Sequence, residues 1–252
     1  MPRARQLATG LFVLAPLLGS GVISFAQAAP AAASAVSAPA MITSGGQIRS
    51  HLTTVTSTNW AGYAVTGGPF TSVVGTWTQP SVKCTSGDQY SSMWVGLDGY
   101  SSSTVEQTGT EADCDGKSAE YYAWYEMYPA NPVVYANSVK PGDSMTASVT
   151  FSGTSTFTLT VKDTTQGWSK TSVKSLAGAA RSSAECIVEA PSSGGVLPLA
   201  DFGTTGFSSC VVDGTSIMSQ NPILIDMESA NGTLEAQTTA TSGSGFSVKW
   251  VS

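Results

Sequence analysis

Residues 93–128 concentrate aromatic rings, carboxylates and a side-chain amide at two-residue spacing. Side chains alternate between faces along an extended chain. An extended 120–129 segment therefore puts Tyr122, Trp124, Glu126 and Tyr128 on one face, and the same rule aligns Trp94, Gly96 and Asp98. Gln107 falls on the face opposite Glu106. A buried acid needs a partner, so a row of rings carrying a carboxylate fills a core poorly and lines a cleft well. The competing reading is an aromatic-rich sheet face with one satisfied glutamate, since strands favour aromatics generally.

Elimination narrows the chemistry. The single histidine, His51, precedes the first expected strand, where a Ser-His or Cys-His nucleophile system has no firm scaffold. No glycine-rich turn opens a helix, which removes phosphate-cradling loops. Four cysteines, Cys84, Cys114, Cys186 and Cys210, are spaced unlike any zinc set, and one histidine cannot complete the usual ligands. They read as two disulfides, Cys84–Cys114 and Cys186–Cys210 being preferred because each pair flanks a segment with candidate site residues. No metal or cofactor is expected. What remains for catalysis is carboxylates, amides and hydroxyls. Glu185 and Glu189 share one face of an extended 184–189 segment with Ile187 between them, about 13 Å apart at ~3.4 Å per residue. That distance lets at most one of them act on a given bond, and spacing alone does not choose which.

The elements that must position these residues are strands. Residues 1–28 carry Arg3 and Arg5, an apolar run and a small-residue cleavage pattern, so they read as a secretory signal peptide. Residues 29–52 are Ala/Pro/Ser-rich without apolar periodicity and read as a linker or short pro-segment. Residues 53–252 are one domain. Apolar and hydroxyl residues alternate in 144–151 and 156–161, short strand signals recur every 8–12 residues, and Asn231-Gly232 marks a hairpin turn. No segment after the signal sustains helical periodicity. The fold class is all-β, a two-sheet antiparallel sandwich with one sheet curved around a cleft. Charged residues make up 11%, net charge is −6 and the sequence pI is near 4.6. That balance argues against nucleic acid or anionic membranes as partners. Low charge content also suits acid, where little further charge accumulates. A secreted monomer, with no membrane association once the signal is removed, is expected.

Five blocks, in order, resemble the signature of the glutamic peptidases, or eqolisins, peptidase family G1, in a bacterial-type version. They are Asn59-Trp60, Trp94-Val95-Gly96-Leu97-Asp98-Gly99, Gln107-Thr108-Gly109, Ala123-Trp124-Tyr125-Glu126-Met127-Tyr128-Pro129 and Ala184-Glu185-Cys186-Ile187-Val188-Glu189. The resemblance implies a concanavalin-A-like jelly-roll sandwich and a secreted, pepstatin-insensitive acid endopeptidase acting on polypeptides. It implies Gln107 and Glu189 as the catalytic pair, and Trp94, Asp98, Trp124, Glu126 and Tyr128 as substrate-binding residues. Tyr122 and Met127 depart from the fungal pattern, as does the 110–118 segment, and 29–52 is shorter than fungal pro-regions. Two other readings stand beside it: a secreted glycoside hydrolase using a carboxylate pair such as Glu126 and Glu189, or a non-catalytic carbohydrate-binding module.

Overall fold

The computed structural model describes residues 38–49, 52–240 and 243–252. The signal-peptide reading for 1–28 and His51 both lie outside them. In chain order the strands are β1 (Ile42–Arg49), β2 (Leu52–Ser57), β3 (Trp60–Thr66), β4 (Ser72–Thr78), β5 (Ser92–Leu97) and β6 (Val105–Asp115). Next come β7 (Ser118–Tyr128), β8 (Val133–Val134), β9 (Ser144–Gly153), β10 (Thr156–Asp163), β11 (Trp168–Ser175) and β12 (Ser183–Glu189). Strands β13 (Thr204–Val212), β14 (Thr215–Ser216), β15 (Ile223–Glu228), β16 (Leu234–Ala240) and β17 (Phe246–Trp250) complete the described chain, which has no α-helix.

These strands make the expected sandwich. One sheet runs β7–β6–β5–β12–β3–β15, antiparallel throughout. The other runs β11–β10–β9–β4–β13–β17, also antiparallel. Strand β16 pairs with both β15 and β17 and carries hydrogen bonding from one sheet to the other. The β15–β16 turn is the hairpin marked by Asn231-Gly232, with Gly232 at φ 83° donating its N–H to Ser229. A departure from pure antiparallel order is β2, which runs parallel to β15.

Strand alternation sends one set of side chains between the sheets. Met93, Val95, Leu97, Ala184, Cys186 and Val188 from the first sheet meet Trp77, Met145, Val149, Leu159 and Phe207 from the second. Fully burying side chains of this kind contributes roughly 1.5–3 kcal/mol each, so this layer is the main source of stability. The alternate set, on the outer face of the first sheet, forms a second cluster around Trp60, Trp94, Trp124, Ile187 and Ile225.

Both disulfides pair as preferred. Cys84–Cys114 ties the loop after β4 to the end of β6, and Cys186–Cys210 joins β12 to β13 across the sandwich. Two boundaries differ from the sequence expectation. Part of the 29–52 stretch is a strand, β1, paired with β2. Strand β6 continues past Thr110 to Asp115 because Glu111, Asp113 and Cys114 keep register with Tyr122, Glu120 and Ala119 of β7.

Candidate active site

The outer face of the first sheet is a grid in which cross-strand partners face the same way. One row contains Ala64, Glu185, Gly96, Gln107 and Glu126. The next contains Gly62, Ile187, Trp94, Gly109 and Trp124, and the third Trp60, Glu189, Ser92, Glu111 and Tyr122. Gln107 and Glu189 thus share a face, two rows apart, with Trp94 between them.

Two glycines let Trp94 fill that interval. A Cβ on Gly96 would come within 2.7 Å of Trp94 Cζ3 and 3.3 Å of Gln107 Cβ. One on Gly109 would sit 2.2 Å from the Met93 carbonyl oxygen and 2.5 Å from Trp94 Cβ. The indole leans over Gly96 toward Gln107, while its Nε1 donates to Glu189 Oε2 at 2.8 Å. Trp60 supports it edge-on, with ring centroids 4.9 Å apart. Trp94 therefore holds Glu189 directly, and the bare Gly96 lies between its ring, Gln107 and Glu185.

Gln107, Glu126 and Glu189 are all fully buried. The Gln107 amide nitrogen donates to Glu126 Oε2 at 2.8 Å, which orients the amide. Glu189 Oε1 accepts from Asn59 Nδ2 at 3.2 Å and from the backbone N–H of Ala38 at 2.8 Å. Trp124 lies in the middle row and is buried, and half-buried Tyr128 pairs with Val105 at the end of the face.

Asp98 is fully buried at the end of β5. It follows β5 with φ 70°, and its carboxylate accepts from the Arg181 and Ser182 backbone N–H groups at 2.6 and 2.8 Å. The Ser182 and Ser102 hydroxyls add bonds at 2.9 and 3.0 Å. A carboxylate held this way braces the loop leading into β12. It supports the site by fixing where the strand that carries Glu185 and Glu189 begins.

Glu185 shares the row of Gln107 and is fully buried. Burial raises its pKa well above the usual range, and the charges of Asp98 and Glu106 add to the shift against an opposing contribution from Ser183. Beside Glu189 the grid carries Glu111 and Asp113, whose pKa values are both raised mainly by burial. Negative charge on Asp113 and Glu189 pushes Glu111 up further. Asp113 accepts from Ser91 N at 3.1 Å and from the Tyr122 hydroxyl at 3.0 Å. Sequence reasoning missed Asn59, Trp60 and Glu111 as site residues. Asn59-Trp60 stood out only as a motif, and Glu111 required the extension of β6.

Comparison with known proteins decides the family. A model of the Peptidase A4 family matches residues 58–250. The chain belongs to the Peptidase A4 family. Aspergillopepsin-2 of Aspergillus niger is 31% identical over 219 residues, 76% of each chain. The structure of scytalido-glutamic peptidase with a transition state analog inhibitor superimposes with TM-score 0.69 at 26% identity, covering 77% of this chain and 98% of that one. Aspergilloglutamic peptidase from Aspergillus niger gives TM-score 0.57 at 27% identity, covering 65% of this chain and 99% of that one. This peptidase is thus of the glutamic type, a hydrolase of polypeptides on a β-sandwich, and the glycosidase and sugar-binding readings fall away. No helix among the described residues is long and apolar enough to cross a membrane.

Proposed function

We propose that this peptidase is an exported acid endopeptidase in which Glu189 and Gln107 activate a water against the scissile carbonyl. Glu189 as carboxylate takes the proton of the attacking water and returns it to the leaving amine. Gln107 directs an amide N–H at the developing oxyanion; an amide keeps that donor at every pH, which a carboxyl group does not. Glu126 orients the amide, and Trp94 fixes one oxygen of Glu189. Trp124 and Tyr128 supply apolar wall for peptide side chains.

The observation that carries this reading is the environment of Glu189. A fully buried carboxylate has an indole N–H on one oxygen and a peptide N–H, 2.8 Å away, on the other. A carboxylate already within hydrogen-bond reach of peptide backbone is close enough for proton exchange with a scissile bond. Two disulfides fit an oxidising compartment, and the secretory signal read in residues 1–28 supports export.

Digestion of haemoglobin across pH 2–8, with and without pepstatin, tests the assignment. Activity is expected in acid and unaffected by pepstatin. Glu189→Gln abolishes it with circular dichroism unchanged, Gln107→Ala lowers it by about 10²–10³-fold, and Glu185→Gln is milder. A dead Glu185→Gln beside an active Glu189→Gln would reassign the acid, and full activity in Gln107→Ala would remove the amide from the mechanism.

A further inference from the structure

A carboxylate base and an amide do not by themselves produce an upper pH limit. The base only gains as pH rises through its pKa, and the amide does not titrate. A fall in activity toward neutral pH needs a further group that must keep its proton. The acid nearest in register to Glu189 is Glu111, because Glu189, Ser92 and Glu111 are successive cross-strand partners on β12, β5 and β6. Asp113 follows on the same face of β6, and the two carboxyl groups lie within hydrogen-bond reach of each other. A hydrogen bond between two carboxyl groups requires a proton. The donors around them are unevenly shared. Asp113 Oδ1 accepts from the Ser91 N–H and Oδ2 from the Tyr122 hydroxyl, whereas Glu111 Oε2 is buried with no hydrogen-bond partner. Charge on that oxygen would be uncompensated, so the proton belongs on Glu111. The other ionisable groups facing the two are Glu189 from β12, Tyr122 and Glu120 from β7, and Tyr90 ahead of β5. None of these supplies positive charge.

We propose that Glu111, hydrogen-bonded to Asp113, is a positioning group for Glu189, and that loss of its proton sets the upper pH limit of hydrolysis. This rests on Glu189 acting as the acid and base proposed above. Both groups are buried, so little water screens one from the other. A charge on Glu111 makes Glu189 hold its proton more tightly and return it less readily to the leaving amine. With Glu111 neutral, Glu189 is free both to take the proton and to give it back. Burial, followed by the charges of Asp113 and Glu189, raises the Glu111 pKa well above the usual range, which keeps this proton in place in acid. Glu111, Asp113 and Tyr122 all lie outside the five motif blocks, so the limit is set by this chain's own neighbours of the acid.

The test is kcat/KM on a short peptide from pH 2 to pH 8, with circular dichroism recorded at each pH. Wild type is expected to show a falling limb. Glu111→Gln, which cannot acquire charge, is expected to move that limb upward by about one pH unit while losing less than about tenfold at the acid optimum. Tyr122→Phe removes a donor that favours the charged form of Asp113, and is expected to move the limb upward by about half a unit. Glu106→Gln and Glu185→Gln are expected to leave it in place. A folded Glu111→Gln whose rate falls equally at every pH, with the limb unmoved, overturns the inference. Should Glu111→Gln not fold, an unmoved limb in Tyr122→Phe overturns it instead. A limb moved by Glu185→Gln or Glu106→Gln and not by Glu111→Gln assigns the limit elsewhere and overturns it too. A wild-type profile that rises and stays level to pH 8 overturns this inference alone. No hydrolysis at any pH overturns the peptidase mechanism beneath it.

Discussion

Gly96 shows how much a missing methyl group governs here. Its absent Cβ leaves the space into which the Trp94 ring leans, and that ring holds Glu189 by its nitrogen. Gly96→Ala would place a methyl group 2.7 Å from the indole, pushing the ring aside and dragging its N–H from the carboxylate. The expected result is a fall in kcat of about 10–100-fold with a smaller change in KM, because orientation is lost more than binding. Steady-state kinetics on a short peptide check it; unchanged kcat would mean that the indole does not set the acid's position. The sequence exposes Trp94, Gln107, Glu126 and Glu189 through two-residue spacing and motif order. It does not expose why position 96 must be bare, since that depends on a ring two residues away in the chain leaning back over it. Nor does it expose Asp98 as a brace, because its partners at 181 and 182 are remote in sequence.

At the scale of elements, β6 is unusual in burying Glu106, Glu111 and Asp113 on a single strand. Burial, followed by the Asp98 charge, raises Glu106 from an ordinary value near 4.5 to about 8. Between those two values the folded chain keeps a proton that the unfolded chain has released. Stability from this group is therefore fully present below pH 4.5 and is lost as pH climbs to about 8. Glu111 and Glu185 shift in the same direction. Thermal unfolding from pH 3 to pH 9 should give the highest Tm in acid. Glu106→Gln should flatten the decline, and an equally steep decline in that variant would assign it to other groups. The regular strands β9, β10 and β11 are plain in the sequence because apolar and hydroxyl residues take turns along them. Strand β6 is not: its second half reads as a polar loop until the partner strand is seen, since acids signal solvent unless something neutralises them. Strand β1 is hidden for a similar reason, its residues acquiring a face only through pairing with β2.

The whole molecule is stitched by Cys186–Cys210, which joins the acid-bearing strand to the opposite sheet. Closing a loop of this length contributes about 3 kcal/mol through the unfolded state. Replacing both cysteines by serine should lower Tm by about 6–12 °C in a domain of this size, measured by calorimetry at pH 4. A loss confined to the Cys84–Cys114 pair would put the stabilisation elsewhere. At this scale the sequence is most informative: evenly spaced strand signals, the absence of helical periodicity and an even cysteine count lead to the sandwich and its pairing. The β16 bridge between sheets is not foreseeable, because a strand's second neighbour is a tertiary matter. Strand β12 carries one further consequence. It is hydrogen-bonded on both edges, to β3 and β5, and riveted underneath by a covalent link. An acid on so stiff a beam has no freedom to follow its target. On the proposed mechanism the peptide, rather than the strand, must do the travelling, so an unfolded protein is expected to be digested faster than a compact one.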